Sequence, residues 1–209
     1  MRNNLAELLD VSINIESLRE AWAEQLVFAG DFEWGKRNYV SLDFFTPYFQ
    51  HLLLDIENVL GEKPTQYIIQ LHDGSIPKYT DELYQDKFYL KVIHKDEYRT
   101  SCVNIPVNYD KMEPVYFYDD ETLYEMMETK KPGENRITFA RQNGINAPDV
   151  ALKPDQVGQY SENHPTLMNV QNWHNVRVMD LAPPRVFIQM SYDIHFDEIV
   201  AKDINTRIL

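Results

Sequence analysis

Apolar positions along the chain change their period once, near residue 65. Between 16 and 28 they fall at Leu18, Ala21, Trp22, Leu26 and Val27, the spacing of a helix with one buried stripe. Strong helix formers fill most of the remaining positions. A second stripe, Phe45, Phe49, Leu52, Leu53 and Ile56, predicts a helix over about 43–60 that ends at Gly61. From Thr65 onward short runs of β-branched and aromatic residues take over: 66–71, 88–93, 101–107, 115–118, 166–170, 174–178 and 185–192. Gly, Pro, Asn or Asp bounds each of them, as they bound strands. A helical pattern returns at 120–129, and another helix is expected just after His195. Helices first and then seven or eight strands predict a single, mainly β domain, a sandwich or barrel with flanking helices. Its parts are a helical buttress (1–64), a β core (65–193) and a C-terminal helix or tail (194–209).

Residues 129–165 break this rhythm. Pro132, Gly133, Asn135, Gly144, Asn146, Pro148, Pro154, Gly158 and Pro165 punctuate them, and apolar clusters are sparse. A connection this long within a domain is expected to be a lid or binding loop, or else a disordered or solvated surface excursion.

Composition narrows the classes. Hydrophobic residues make up 44% of the 209, enough for a sizeable core. A net charge of −13 argues against non-specific nucleic-acid binding. Cys102 is the only cysteine, which excludes an internal disulfide and a thiolate zinc cluster. The first residues lack the apolar segment of a secretion signal, and no apolar run approaches the ~20 residues that span a bilayer. A cytoplasmic protein with no membrane or nucleic-acid partner is expected.

The candidate chemistry lies at strand ends. His94-Lys95-Asp96 follows the strand at 88–93, His174 opens another, and Arg185 opens the next. Two neutral imidazoles and one carboxylate on one face, with three positions open, are the facial triad of non-haem Fe(II) oxygenases. Barrel strand ends bring remote positions to one mouth, as a three-ligand site needs. Taken alone, these residues equally allow strand-end histidines without a metal and a surface ion pair for Arg185. A second His-x-Asp, His195-Phe196-Asp197, has no histidine after it and reads as a helix start. His72-Asp73-Gly74 reads as a turn, His51 as a structural residue on a helix, and His164, before Pro165, as solvated. Trp173 and Tyr98 read as packing residues.

The wider pattern decides between these. His94-Lys95-Asp96-Glu97-Tyr98-Arg99, Val103-Asn104-Ile105-Pro106-Val107, Met168 through Val176 and Arg185 through Met190 together resemble the 2-oxoglutarate/Fe(II)-dependent oxygenase superfamily. Within it the chain is similar to the aspartyl/asparaginyl β-hydroxylase-like and prolyl-hydroxylase-like branches, in their small bacterial and phage forms. The resemblance covers about residues 65–193. It implies a double-stranded β-helix (a jelly roll, cupin-like), with Fe(II) as metal and 2-oxoglutarate and O2 as cosubstrates. The implied reaction is hydroxylation of an amino-acid side chain, free or in a peptide or protein, with release of succinate and CO2. His94, Asp96 and His174 would bind iron, and Arg185 would pair with the 5-carboxylate of 2-oxoglutarate. Asn104 matches a polar position that faces the cosubstrate, and Arg99 matches a basic position after the His-x-Asp turn. One departure stands out: Phe187 occupies the place where many members carry a serine, so Tyr192 or Asn104 would have to supply the missing polar contact.

Two other classes remain. One is a catalytically inactive binding or structural protein on the same fold. The other is a cupin-type metal enzyme of different chemistry, which usually draws ligands from a His-x-His pair that this chain lacks.

Overall fold

A computed structural model describes residues 6–32, 37–72, 89–90, 96, 99–107, 115–118, 156–158, 164–178, 185–202 and 206–208; for several strand residues, His72 and Arg185 among them, it describes the backbone alone. The first helix, α1 (Ile15–Gln25), starts where Asn14 Oδ1 accepts the Ser17 N–H at 3.0 Å. It buries Leu18, Ala21, Trp22 and Gln25. It ends earlier than the periodicity predicts, with Leu26 as its C-cap, so Leu26 and Val27 are exposed in the following turn and not on the buried stripe. Gln25 replaces them at the interface. Its amide donates to the Phe44 carbonyl at 3.2 Å and accepts from the Thr46 N–H at 2.8 Å. This side chain joins α1 to the start of the second helix, α2 (Pro47–Leu60).

α2 begins later than expected because Leu42–Phe44 form a turn of 3-10 helix and Pro47 takes the first helical turn. Phe45 stays buried just ahead of it. Gly61 closes α2 with φ of 65°, the left-handed region that glycine enters without a Cβ clash. A short α3 (Phe196–Ala201) follows His195, as the acidic start of that segment predicts.

Among the described residues the strands are β1 (Ala6–Leu9), β2 (Arg37–Val40), β3 (Gln66–His72), β4 (Tyr89–Leu90), β5 (Ser101–Pro106), β6 (Val115–Tyr118), β7 (Gln156–Gly158), β8 (Thr166–Met168), β9 (Trp173–Val178), β10 (Arg185–Tyr192) and β11 (Thr206–Ile208). They form a seven-stranded sheet, β11-β1-β8-β5-β10-β3-β2, and a four-stranded sheet, β4-β9-β6-β7. Every pairing is antiparallel. The order has an internal symmetry. β3 pairs with β10, β5 with β8, β4 with β9 and β6 with β7, so the chain from β3 to β10 is one long hairpin folded over between two sheets.

β1, β2 and β11 lie in segments where the sequence predicts helix or tail; each run is short and lacks clear alternation. β7 falls inside the expected lid, so part of residues 129–165 belongs to the smaller sheet. The rest of that segment up to 163 lies outside the described residues, as does the helix expected at 120–129.

The large sheet has two different faces. Leu71, Ile69, Val103, Ile105, Leu167, Val186, Ile188, Met190 and Tyr192 pack with α1 and α2 in the main core. Strand alternation sends Gln70, Cys102, Asn104, Thr166, Met168, Phe187, Gln189 and Ser191 to the opposite face. There Ala6, Cys102 and Met168 join Val115 and Phe117 of the smaller sheet in a second apolar cluster. The space between the sheets is therefore apolar at that cluster and polar around Gln189.

Candidate active site

Of the residues expected at a metal, Asp96 and His174 are described, and His94 lies outside the described residues. His174 sits on β9 in register with Phe117, with ring centroids 6.1 Å apart, on the face that meets the large sheet. It is buried. Its Nδ1 lies 2.8 Å from the Asn172 carbonyl oxygen. A carbonyl can only accept, so the proton resides on Nδ1 and the basic lone pair on Nε2.

Asp96 is also buried, and the turn between β8 and β9 holds it. Its N–H donates to the Val170 carbonyl at 2.9 Å, and its own carbonyl accepts from Gln171 Nε2 at 2.8 Å. Gln171 Nε2 also donates to the Arg99 carbonyl at 2.7 Å. Residues 169–172 thus clamp the backbone of Asp96 at one end and orient the ring of His174 at the other. The backbone of Asp96 and the ring of His174 are thus tied to one short connection.

Arg99 lies beside Asp96. Its Nε donates to Asp96 Oδ2 at 2.6 Å, and both side chains are buried. Nη1 donates to Gln189 Oε1 and, at 3.2 Å, to Ser191 Oγ. Gln189 Oε1 also accepts from Gln70 Nε2 at 3.0 Å, and Gln189 Nε2 donates to Asn104 Oδ1 at 2.7 Å. A polar chain therefore crosses β3, β10 and β5. Arg37 approaches from β2, with Nη2 4.0 Å from Asp96 Oδ1. Burial lowers the Arg99 pKa, but Cys102 and Asp96 beside it raise it further, so the net direction is upward and the guanidinium stays charged. Burial also pushes the Cys102 thiol up to about 11, against the pull of Arg99.

Position 185 opens β10 opposite His72 on β3. His72 is therefore the last residue of a strand and not part of a turn; Asp73 and Gly74 lie outside the described residues. Asn104 is buried on the face shared by Gln189 and Thr166. Tyr192 is not on that face: it belongs to the main core on the helical side, with its hydroxyl 3.8 Å from Met190 Sδ, and so cannot replace the missing serine. His164, expected in solvent, is half-buried with Nδ1 3.1 Å from the Leu9 carbonyl. His51 and His195 are exposed.

Gln70 and Gln171 were not legible as site residues. Gln70 had a signal, a single amide inside the apolar run Ile68-Ile69-Gln70-Leu71; Gln171 had none beyond its closeness to His174. No group of three His, Cys, Asp or Glu among the described residues is placed to hold a metal. No helix among them is long and apolar enough to cross a membrane.

No family model matches the chain, and no curated protein matches it. A solved structure that resembles it is HygX from Streptomyces hygroscopicus, determined with nickel and 2-oxoglutarate bound; the two are 10% identical, with 88% of this chain and 80% of that one covered and a TM-score of 0.48. Identity and TM-score at that level assign no family.

Proposed function

We propose that the protein is a 2-oxoglutarate- and Fe(II)-dependent dioxygenase on a double-stranded β-helix, hydroxylating an amino-acid side chain. The observation that supports this reading is that residues 170–172 bond both the backbone of Asp96 and the ring of His174, although 77 residues lie between the two in the sequence. The strand order supports the fold: eight strands, β3 to β10, form a hairpin wound over two sheets, the arrangement of a jelly roll. In that frame His94-x-Asp96 follows β4, His174 lies on the paired strand β9, and Arg185 opens β10.

The donors fit a divalent metal of the iron type. His174 carries its basic lone pair on Nε2, with Nδ1–H fixed by a carbonyl, the usual outer contact of a metal-bound imidazole. Asp96 Oδ2 is engaged by Arg99, and a carboxylate has lone pairs for both that contact and a metal on Oδ1. His94 would complete the set. When bound, Fe(II) would supply the redox chemistry that converts O2 and 2-oxoglutarate to succinate and CO2 while a substrate C–H becomes C–OH. Arg185 would hold the distal carboxylate through two parallel charge-assisted hydrogen bonds, with Phe187 against the methylenes. Asn104, fixed by Gln189, would present a polar group on the same face.

The Arg99–Asp96 pair favours a second reading, a β-sandwich that binds without turnover, because Arg99 neutralises Asp96 within the fold itself. Succinate formation separates the two. The oxygenase reading expects Fe(II)-dependent succinate release from 2-oxoglutarate, lost in His174→Ala and Asp96→Ala. Equal release by these variants would exclude the site.

A further inference from the structure

We infer that Arg99 is a positioning residue for Asp96, oriented by Gln189 and Ser191, and not an anchor for the cosubstrate; the inference rests on Asp96 being a metal ligand. A guanidinium binds a carboxylate bidentately through one of two edges, Nε with one Nη or the two Nη together. Asp96 Oδ2 takes the Nε–H, which breaks the first edge. Gln189 Oε1 and Ser191 Oγ take both N–H groups of Nη1, which breaks the second. Neither edge keeps two parallel donors for a 2-oxoglutarate carboxylate.

What Arg99 does offer is a fixed direction to Asp96. Gln189 cannot rotate its amide without losing Gln70 at its oxygen and Asn104 at its nitrogen, so the acceptor facing Nη1 is set from two strands. Arg99 is aimed in turn, and Asp96 is pinned at three points: its N–H, its carbonyl and Oδ2. Arg99 then sets the direction in which the carboxylate presents its oxygens. Partners of this kind typically change metal affinity about 10- to 100-fold.

The test measures Co(II) affinity of the chelator-treated protein by calorimetry, then 2-oxoglutarate affinity of the cobalt-loaded protein. Variants are Arg99→Lys, Gln189→Leu, Ser191→Ala and the double variant Arg99→Lys/Gln189→Leu. Positioning predicts a Co(II) affinity about 10-fold lower or more in Arg99→Lys, on the scale of such contacts. It also predicts 2-oxoglutarate affinity within about 3-fold of wild type. Gln189→Leu, which touches Arg99 and not Asp96, should reproduce the metal effect, and the double variant should be no worse than Arg99→Lys alone. Ser191→Ala makes the smallest change and gives the same readout if Arg99→Lys does not fold. A fall in 2-oxoglutarate affinity with Co(II) affinity unchanged would make Arg99 an anchor and overturn the inference. Unchanged affinities in every variant would leave a plain structural ion pair. Wild-type protein that binds no Co(II) would remove the metal reading itself, and this inference with it.

Discussion

Arg99 and Asp96 form an ion pair of 2.6 Å with both side chains buried, three residues apart in the sequence. Two charges out of water are held by each other and, at the guanidinium, by Gln189 and Ser191. Removing one partner leaves the other desolvated and unpaired, at a cost of about 3–5 kcal/mol. Asp96→Ala should therefore lose about that much stability in urea unfolding of metal-free protein. Asp96→Leu combined with Arg99→Met should recover most of it, since an apolar pair can replace a buried ionic one. A loss below about 1 kcal/mol in Asp96→Ala would show that the pair is solvated.

Cys102 gives the pH dependence. Its folded pKa, about 11, lies above the ordinary value of 9.0 because burial penalises the thiolate. The folded state therefore keeps a proton that the unfolded state releases. The stabilisation is complete below pH 9 and is lost as pH rises from 9 through 11, on the order of 3 kcal/mol. Urea midpoints of wild type should fall over that window more steeply than those of Cys102→Ala. Native Cys102 should also resist alkylation at pH 8 and react fully once the protein is unfolded. Parallel curves for the two proteins would place the alkaline loss elsewhere.

Gln25 is the joint between the helices. Gln25→Leu fills similar volume but leaves the Thr46 N–H and the Phe44 carbonyl without their partner. The expected loss is about 1–3 kcal/mol, measured by urea unfolding. Gln25→Glu should lose at least as much, because it keeps the acceptor for Thr46 but sets a buried carboxylate oxygen against the Phe44 carbonyl. Equal stability of Gln25→Leu and wild type would mean that water satisfies both groups.

Much of the β core was legible because β3, β4, β5, β6, β8, β9 and β10 each lie in a short apolar run with its own stop signals. β5, β6 and β10 fall where the alternation predicts them. β1, β2 and β11 were hidden, since strands of four residues or fewer carry too little pattern to count against helix propensity. The site was half legible. Asp96 and His174 follow from residue type and strand position, whereas Gln171 acts through a tertiary hydrogen bond that no local spacing encodes. Tyr192 failed as a serine replacement for a simple reason. It lies an odd number of residues from Phe187, and strand alternation turns it to the other face.

The most direct test of the central claim is the number of Fe(II) ions bound per chain under anaerobic conditions. It is measured by equilibrium dialysis for wild type and for His94→Ala, Asp96→Ala and His174→Ala, with and without 2-oxoglutarate. The account predicts one ion per wild-type chain, tighter binding with 2-oxoglutarate present, and loss of the ion in each single variant. Iron retained undiminished in the Asp96→Ala and His174→Ala variants, or no iron bound by folded wild type, would contradict it.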